Sequence, residues 1–350
     1  MFWLAIHICY KYINKVFQYF DVMMDFQGLF SGFGRKSVFL VGDVMVDRFI
    51  LGRVSRVSPE APVPVVDVVS ESDVLGGAAN VVSILLMCGA KVFASGVVGD
   101  DDAGRVLREK LKKNKIDLNG IVVDGKRPTT LKTRIVAHNQ QVVRVDREVK
   151  GEISGSDVEK IVKYFSSVAG RIDGVVVSDY CKGTVTGSLV ERLVSVARKF
   201  KKPVVASTKG QNVLAFRGVD ALLISLEEAS AASGIRPINE TSVRNMGNKI
   251  LSVLDCGCVV ITRGKQGFSV FTREGSVANV HAPDLGGSYD FRKTDDTAIS
   301  FFALGLFSGL SFVDSAKLSC YAVEVLASKI SGSKVTLEDI KECLSSNPVE

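Results

Sequence analysis

Short apolar strand-like runs alternate with amphipathic helical segments along most of this chain. That alternation limits the available folds more than any other feature. Strand-like runs at 92–98, 174–178, 203–206, 221–224 and 259–262 interleave with helical periodicity at 103–114, 157–168, 187–200 and 241–254. An earlier run, S-V-F-L-V-G at 37–42, ends in glycine as a buried parallel strand does. Strands joined through helices are expected to pair in parallel, with helices covering both faces of one sheet. A hairpin is expected at 269–272 and 276–281, and helices at 296–309, 313–331 and 337–345 close the chain.

Two segments break this pattern. Residues 49–69 alternate polar and apolar around S-P-E-A-P-V-P, and 130–148 read as a hairpin turning at H-N-Q-Q. Together they predict a small β flap inserted into the larger domain. The sequence contains no internal repeat, low-complexity tract or linker.

Composition excludes several functions. An apolar content of 46% allows a large core, and the net charge of +6 is thinly spread, so no arm for nucleic acid is expected. The basic cluster at 198–202 closes a helix, where cations favour the dipole. Seven cysteines lack metal-binding spacing, and His7, His138 and His281 stand apart, so a reducing cytosol and no metal site are expected. The apolar start lacks a basic leader and is broken by Lys11 and Lys15, so it suits neither a signal peptide nor a membrane span. Phe17, Phe20, Phe26 and Phe30 suit a peripheral helix, and Met23 and Met24 offer alternative starts. Residues 1–29 therefore read as an N-terminal extension of uncertain status, and 30–348 as the folded domain.

Chemistry concentrates at strand ends. No Walker motif occurs, and Gly32-Phe-Gly34 precedes a strand instead of following one. Gly42-Asp43-Val-Met-Val-Asp47 ends the first strand, where α/β sheets bind ligands. Its carboxylates suit either the hydroxyls of a polyol or a plain capped turn. Leu75-Gly76-Gly77-Ala-Ala-Asn80 opens a helix. Its glycines admit a close ligand, and Asn80 offers a donor and an acceptor; a ligand-free tight turn is the alternative.

These stretches, with V-V-G-D-D-x-A-G, H-N-Q-Q-V-V-R-V-D and V-S-D-Y-x-K-G, resemble the ribokinase-like (PfkB) sugar kinases over about residues 30–345. S-P-E-A-P-V-P and H-N-Q-Q resemble the branch that phosphorylates D-glycero-β-D-manno-heptose 7-phosphate at O1, on the path to ADP-heptose for the lipopolysaccharide inner core. The resemblance implies a cytoplasmic kinase using ATP with Mg²⁺. Its fold would be a three-layer αβα sandwich, with a β lid from about 49–69 and 129–147 that also makes a homodimer. Asp43, Gly76, Gly77 and Asn80 would touch the sugar, and Lys182 would sit near a phosphate. Thr262, Gly264 and Gly267 match the nucleotide-side T-R-G-x-x-G. No H-x-G-H occurs, so no fused nucleotidyltransferase is expected within these residues.

The phosphate side departs from the family pattern. The loop D-T-x-G-A-G-D, whose last Asp is the base, aligns with Asp290 to Asp296, and Lys293, Thr294 and Asp295 replace Gly-Ala-Gly. D-P-K-G becomes Ser207-Thr-Lys209-Gly210, and N-x-x-E becomes Ser225-Leu-Glu-Glu228. Lys209, Glu228 and Lys293 remain as candidate phosphate-side residues, with Asp296 as the base. A non-glycine residue forced into a left-handed turn would cost about 1–2 kcal/mol. Asp295 facing a phosphate charge would cost on the order of 4 kcal/mol. The expectations are therefore a heptose-phosphate kinase, or a catalytically impaired relative that keeps the sugar pocket and dimer surface.

Overall fold

The computed structural model describes residues 26–138, 140–210, 213–281 and 294–328. Its main sheet has nine strands, in the spatial order β13-β12-β11-β10-β9-β8-β1-β4-β5. The strands are β1 (Ser37–Gly42), β4 (Lys91–Gly99), β5 (Ile121–Asp124), β8 (Gly174–Asp179), β9 (Val204–Thr208), β10 (Ala221–Ser225), β11 (Cys258–Thr262), β12 (Phe268–Thr272) and β13 (Val277–Val280). From β5 through β11 neighbours run parallel, while β12 and β13 form the antiparallel edge that the hairpin pattern predicted.

Helices α1 (Phe26–Phe33), α2 (Ala78–Met87), α3 (Asp102–Lys113), α8 (Asp295–Phe307) and α9 (Phe312–Ser328) cover one face. The other face carries α4 (Gly155–Val168), α5 (Gly187–Lys199), α6 (Leu226–Ser233) and α7 (Glu240–Leu254). This is the three-layer αβα sandwich, with one core on each side of the sheet. The sequence reading passed over β5 and α6, which are only a few residues long. Ser225 and Glu228 form a capping box at the start of α6. That S-x-x-E spacing was a legible helix-start signal. The helix expected at 337–345 lies outside the described residues.

One expectation about the amino-terminal region is corrected. Phe26 and Phe30 do lie on a helix, α1, but that helix packs into the core: Phe30 and Phe33 are buried, and Phe33 meets Phe301 of α8 edge-on at 6.5 Å. Helix α1 starts before the 29/30 boundary drawn from the sequence.

The two flap segments form a second sheet, in the order β3-β2-β6-β7, from β2 (Val44–Val57), β3 (Pro64–Gly77), β6 (Thr130–Ala137) and β7 (Gln140–Arg147). His138, at the turn of the H-N-Q-Q stretch, sits against Val54 of β2, with Nε2 3.2 Å from its carbonyl oxygen. The roots of β2 and β3 run directly into the end of β1 and the start of α2, so this sheet grows out of the main sheet's carboxyl edge.

Helix α8 is apolar nearly all round because it is buried between β8 and α9. Phe307 at its end lies over Gly174 at the start of β8, where an added Cβ would come within 2.2 Å of the ring. With that end fixed at the base of β8, the helix start reaches the strand's carboxyl end. That geometry brings Asp296 beside Tyr180, 116 residues earlier in the chain.

Candidate active site

The carboxyl ends of the central strands enclose a pocket lined by Tyr180, Lys209, Glu228, Thr262, Asp295 and Asp296, among others. The half-buried Asp296 accepts hydrogen bonds from two elements remote in sequence. Asn80 Nδ2 donates to Oδ2 at 2.7 Å, and the Tyr180 hydroxyl donates to Oδ1. Burial pushes the Asp296 carboxyl up to about 6; the bonds from Asn80 and Tyr180 oppose that rise and the neighbouring Asp295 adds to it. A carboxyl tuned to this range suits a general base near neutral pH.

Asp43 takes a different place from the one expected. It is 1% exposed, and its carboxylate accepts three backbone N–H groups, from Tyr180 at 2.8 Å, Lys182 at 3.0 Å and Thr184 at 2.9 Å. Cys181, at φ 58°, turns the loop, and its N–H goes to Asp179 Oδ1 at 2.8 Å. Asp43 therefore shapes the loop that carries Tyr180 and does not face the pocket. Asp47, four residues on, faces Gly76 and pairs with Arg134 of β6. It is the member of the pair that remains partly exposed, at 20%. Asp43→Ala would leave three loop N–H groups without their acceptor. It is expected to lower stability by about 3 kcal/mol or more, read as a fall in the urea midpoint.

Gly76 and Gly77 serve the crossing of β2 and β3. An added Cβ on Gly76 would lie 2.6 Å from Asp47 Oδ2, and one on Gly77 would lie 2.6 Å from the Asp43 carbonyl oxygen. Gly77 also has φ +53°. Gly77→Ala is therefore expected to cost about 2–4 kcal/mol from strain and overpacking together, measurable as a drop in Tm.

Lys209 is set by its backbone: its N–H donates to the Asp179 carbonyl at 3.0 Å, and Gly210 N–H to Thr208 Oγ1 at 2.8 Å. The Thr208 hydroxyl in turn donates to Asp179 Oδ2 at 2.6 Å. Burial, together with the nearby Asp43 carboxylate, pushes the Asp179 carboxyl up. The Lys209 ammonium pairs with Asp295 and lies 3.6 Å from Glu228. Burial disfavours the charge, yet these carboxylates hold the lysine's pKa above its ordinary value. Glu228 accepts the Ser225 N–H at 2.7 Å, which leaves its other oxygen toward Lys209.

The loop substitutions carry no left-handed strain at their described positions. Thr294 has φ −89°, and no residue from 294 to 296 is among those with positive φ. What they change is charge: the start of α8, where a helix dipole favours an anion, carries the protein's own Asp295 and Asp296. Asp290 and Lys293 lie outside the described residues.

Lys182, expected near a phosphate, does not stand free. It donates to Glu148 at 2.8 Å, and Lys132 bridges Glu148 at 3.0 Å and Asp146 at 2.9 Å. Of the residues matched to T-R-G-x-x-G, Thr262 lines the pocket, whereas Gly264 and Gly267 shape the turn beside it. Gly267 has φ +73°, and an added Cβ would lie 2.0 Å from the Val280 carbonyl oxygen, while Gly264 opens onto free space. Tyr180 was not singled out from the sequence, although it lies inside V-S-D-Y-x-K-G and lines the pocket, whereas Asp47 was already one of the two carboxylates read as suiting a polyol's hydroxyls.

The profile of the pfkB family carbohydrate kinases matches residues 35–338. The chain belongs to the pfkB family. A bifunctional protein HldE from Geobacter sulfurreducens is 38% identical over 315 residues, covering 90% of this chain and 64% of that protein. One from Geobacter metallireducens is 36% identical over the same length. This chain thus spans less than two thirds of the length of these curated relatives. Among solved structures, phosphofructokinase-2 from Escherichia coli in complex with potassium superposes with a TM-score of 0.72 at 15% identity, covering 89% of this chain and 98% of that one. Arabidopsis thaliana ribokinase complexed with ribose and ATP gives 0.68 at 15% identity, covering 88% and 98%. These likenesses establish the ribokinase-like fold. Among the described residues no helix is long and apolar enough to cross a membrane.

Proposed function

We propose that this pfkB-family chain is a cytoplasmic kinase that transfers the γ-phosphate of ATP to O1 of D-glycero-β-D-manno-heptose 7-phosphate, in ADP-heptose biosynthesis. The observation that carries the reading is Asp296, buried enough to sit near 6, oriented by Asn80 and Tyr180, and facing the Lys209 pocket. The heptose branch is favoured by the S-P-E-A-P-V-P and H-N-Q-Q stretches, both of which lie on the second sheet or its turns.

In this reading the sugar lies between Asp47, Asn80 and the second sheet. Asp296 takes the O1 proton as the O1–Pγ bond forms and the bond from Pγ to the bridging oxygen of ADP breaks. Lys209 pairs electrostatically with the phosphoryl group on its way to O1, and Lys182 with Lys132 suits the sugar phosphate once Glu148 shares or releases them. Mg²⁺ brought in with ATP would supply neutralisation of the charge developing on the phosphates. Glu228 is the carboxylate placed toward that side. The second sheet serves as the lid, and its exposed Val57, Val68, Val69 and Val145 suit a second copy of this chain. Val68→Lys would then give a monomer in light scattering.

The test is purified protein with ATP, Mg²⁺ and the heptose 7-phosphate. ADP release with a new anomeric phosphate resonance supports the reading, and sugar binding in calorimetry without ADP release counts against it. The Lys209–Asp295 pair favours a second reading, an impaired kinase that keeps the sugar pocket and dimer surface. On that reading, Lys293→Gly and Asp295→Gly with Ser225→Asn raise turnover.

A further inference from the structure

We propose that Tyr180 is a positioning residue for Asp296: its phenol holds the carboxylate in the orientation and ionisation state from which it can accept a sugar proton. The catalytic meaning rests on the kinase reading above; the contact itself does not.

Asp43, deeply buried, fixes the N–H groups of Tyr180, Lys182 and Thr184. The loop so fixed aims the Tyr180 ring at the start of α8, where its hydroxyl donates to Asp296 Oδ1. Asn80, from α2, holds the other oxygen at 2.7 Å. A carboxylate has about four acceptor positions, so two donors leave room for a reacting hydroxyl. With the phenol removed, Asn80 alone would restrain the group.

Several charges act on this carboxyl. Asp295 raises its pKa from the same helix, and Lys209, from the β9 loop, lowers it. Asp295, and Asp47 from β2, also push the Tyr180 phenol up. Burial and Asp296 push the phenol far above its ordinary pKa, so it remains a donor throughout the working range. Tyr180 is thus a fixed donor beside a group that would otherwise protonate more readily.

The test is a carboxyl titration of the full chain labelled with ¹³C-aspartate, followed by NMR. Asp296→Asn identifies the relevant signal by its disappearance. The wild-type midpoint is expected near 6. Tyr180→Phe, which keeps the ring, is expected to raise the midpoint by about one pH unit, the size of one charge-assisted hydrogen bond. Placing 3-fluorotyrosine at 180 strengthens the donor and is expected to lower it. Unmoved midpoints in both overturn the proposal. In turnover, Tyr180→Phe should move the acid limb of kcat/KM upward by the same amount, with KM for ATP unchanged. A wild-type protein that does not turn over ATP would sink the kinase reading, while the titration still decides the Tyr180 contact.

Discussion

Replacing Asp295 with glycine is expected to raise kcat/KM for ATP by about ten- to a hundredfold. The carboxylate sits at the start of α8 and pairs with Lys209, a cation lining the same pocket. A like charge about 4 Å from a phosphate opposes it by on the order of 4 kcal/mol at an effective dielectric near 20. Asp295 and Lys209 are each about a third exposed, at 32% and 36%, so solvent screening reduces that figure. Asp295→Asn should give a smaller gain in the same direction, because it removes the charge and keeps the bulk. Titration calorimetry with a non-hydrolysable ATP analogue, alongside steady-state rates, reads both effects. Unchanged or weaker nucleotide binding in both variants would show that Asp295 does not oppose the phosphate.

Asp296→Asn is expected to lower kcat by about 10²–10⁴-fold, the usual contribution of a positioned general base. It should also raise Tm, and the sign follows from linkage. The carboxyl is raised from 3.8 to about 6 in the folded chain, so between those values the folded state binds more protons than the unfolded one. Its contribution to stability is fully present below the lower value and is lost as pH rises through the upper one. At neutral pH the ionised group therefore burdens the fold, and a neutral amide relieves that burden. For the same reason wild-type kcat/KM should fall on the acid side with a midpoint near 6. Thermal melts at pH 5 and pH 8 check the stability claim: the gain in Tm should be larger at pH 8. An equal gain at both values would place the effect elsewhere.

Much of this molecule was legible in the chain. Hydrophobic period and turn residues are local properties, and they were enough to predict most strands and helices, the antiparallel edge and the flap. The S-D-Y-C-K-G and L-G-G-A-A-N stretches contain Tyr180 and Asn80, the two residues that hold Asp296. The strain expected from losing the loop glycines did not appear at Thr294 and Asp295, because helix α8 already begins there in ordinary backbone conformations.

What the chain alone determined was the layer architecture and the set of chemically capable residues, since both follow from short-range spacing. Only the folded structure decided which carboxylate turns inward, making Asp43 a loop anchor and leaving Asp47 partly open. It also decided that Asp296 meets Asn80 and Tyr180 and that Lys209 meets Asp295, across 216, 116 and 86 residues. Those contacts depend on how far α8 reaches along β8, which is fixed by Phe307 seated on Gly174. Packing between elements so distant leaves no trace in local periodicity.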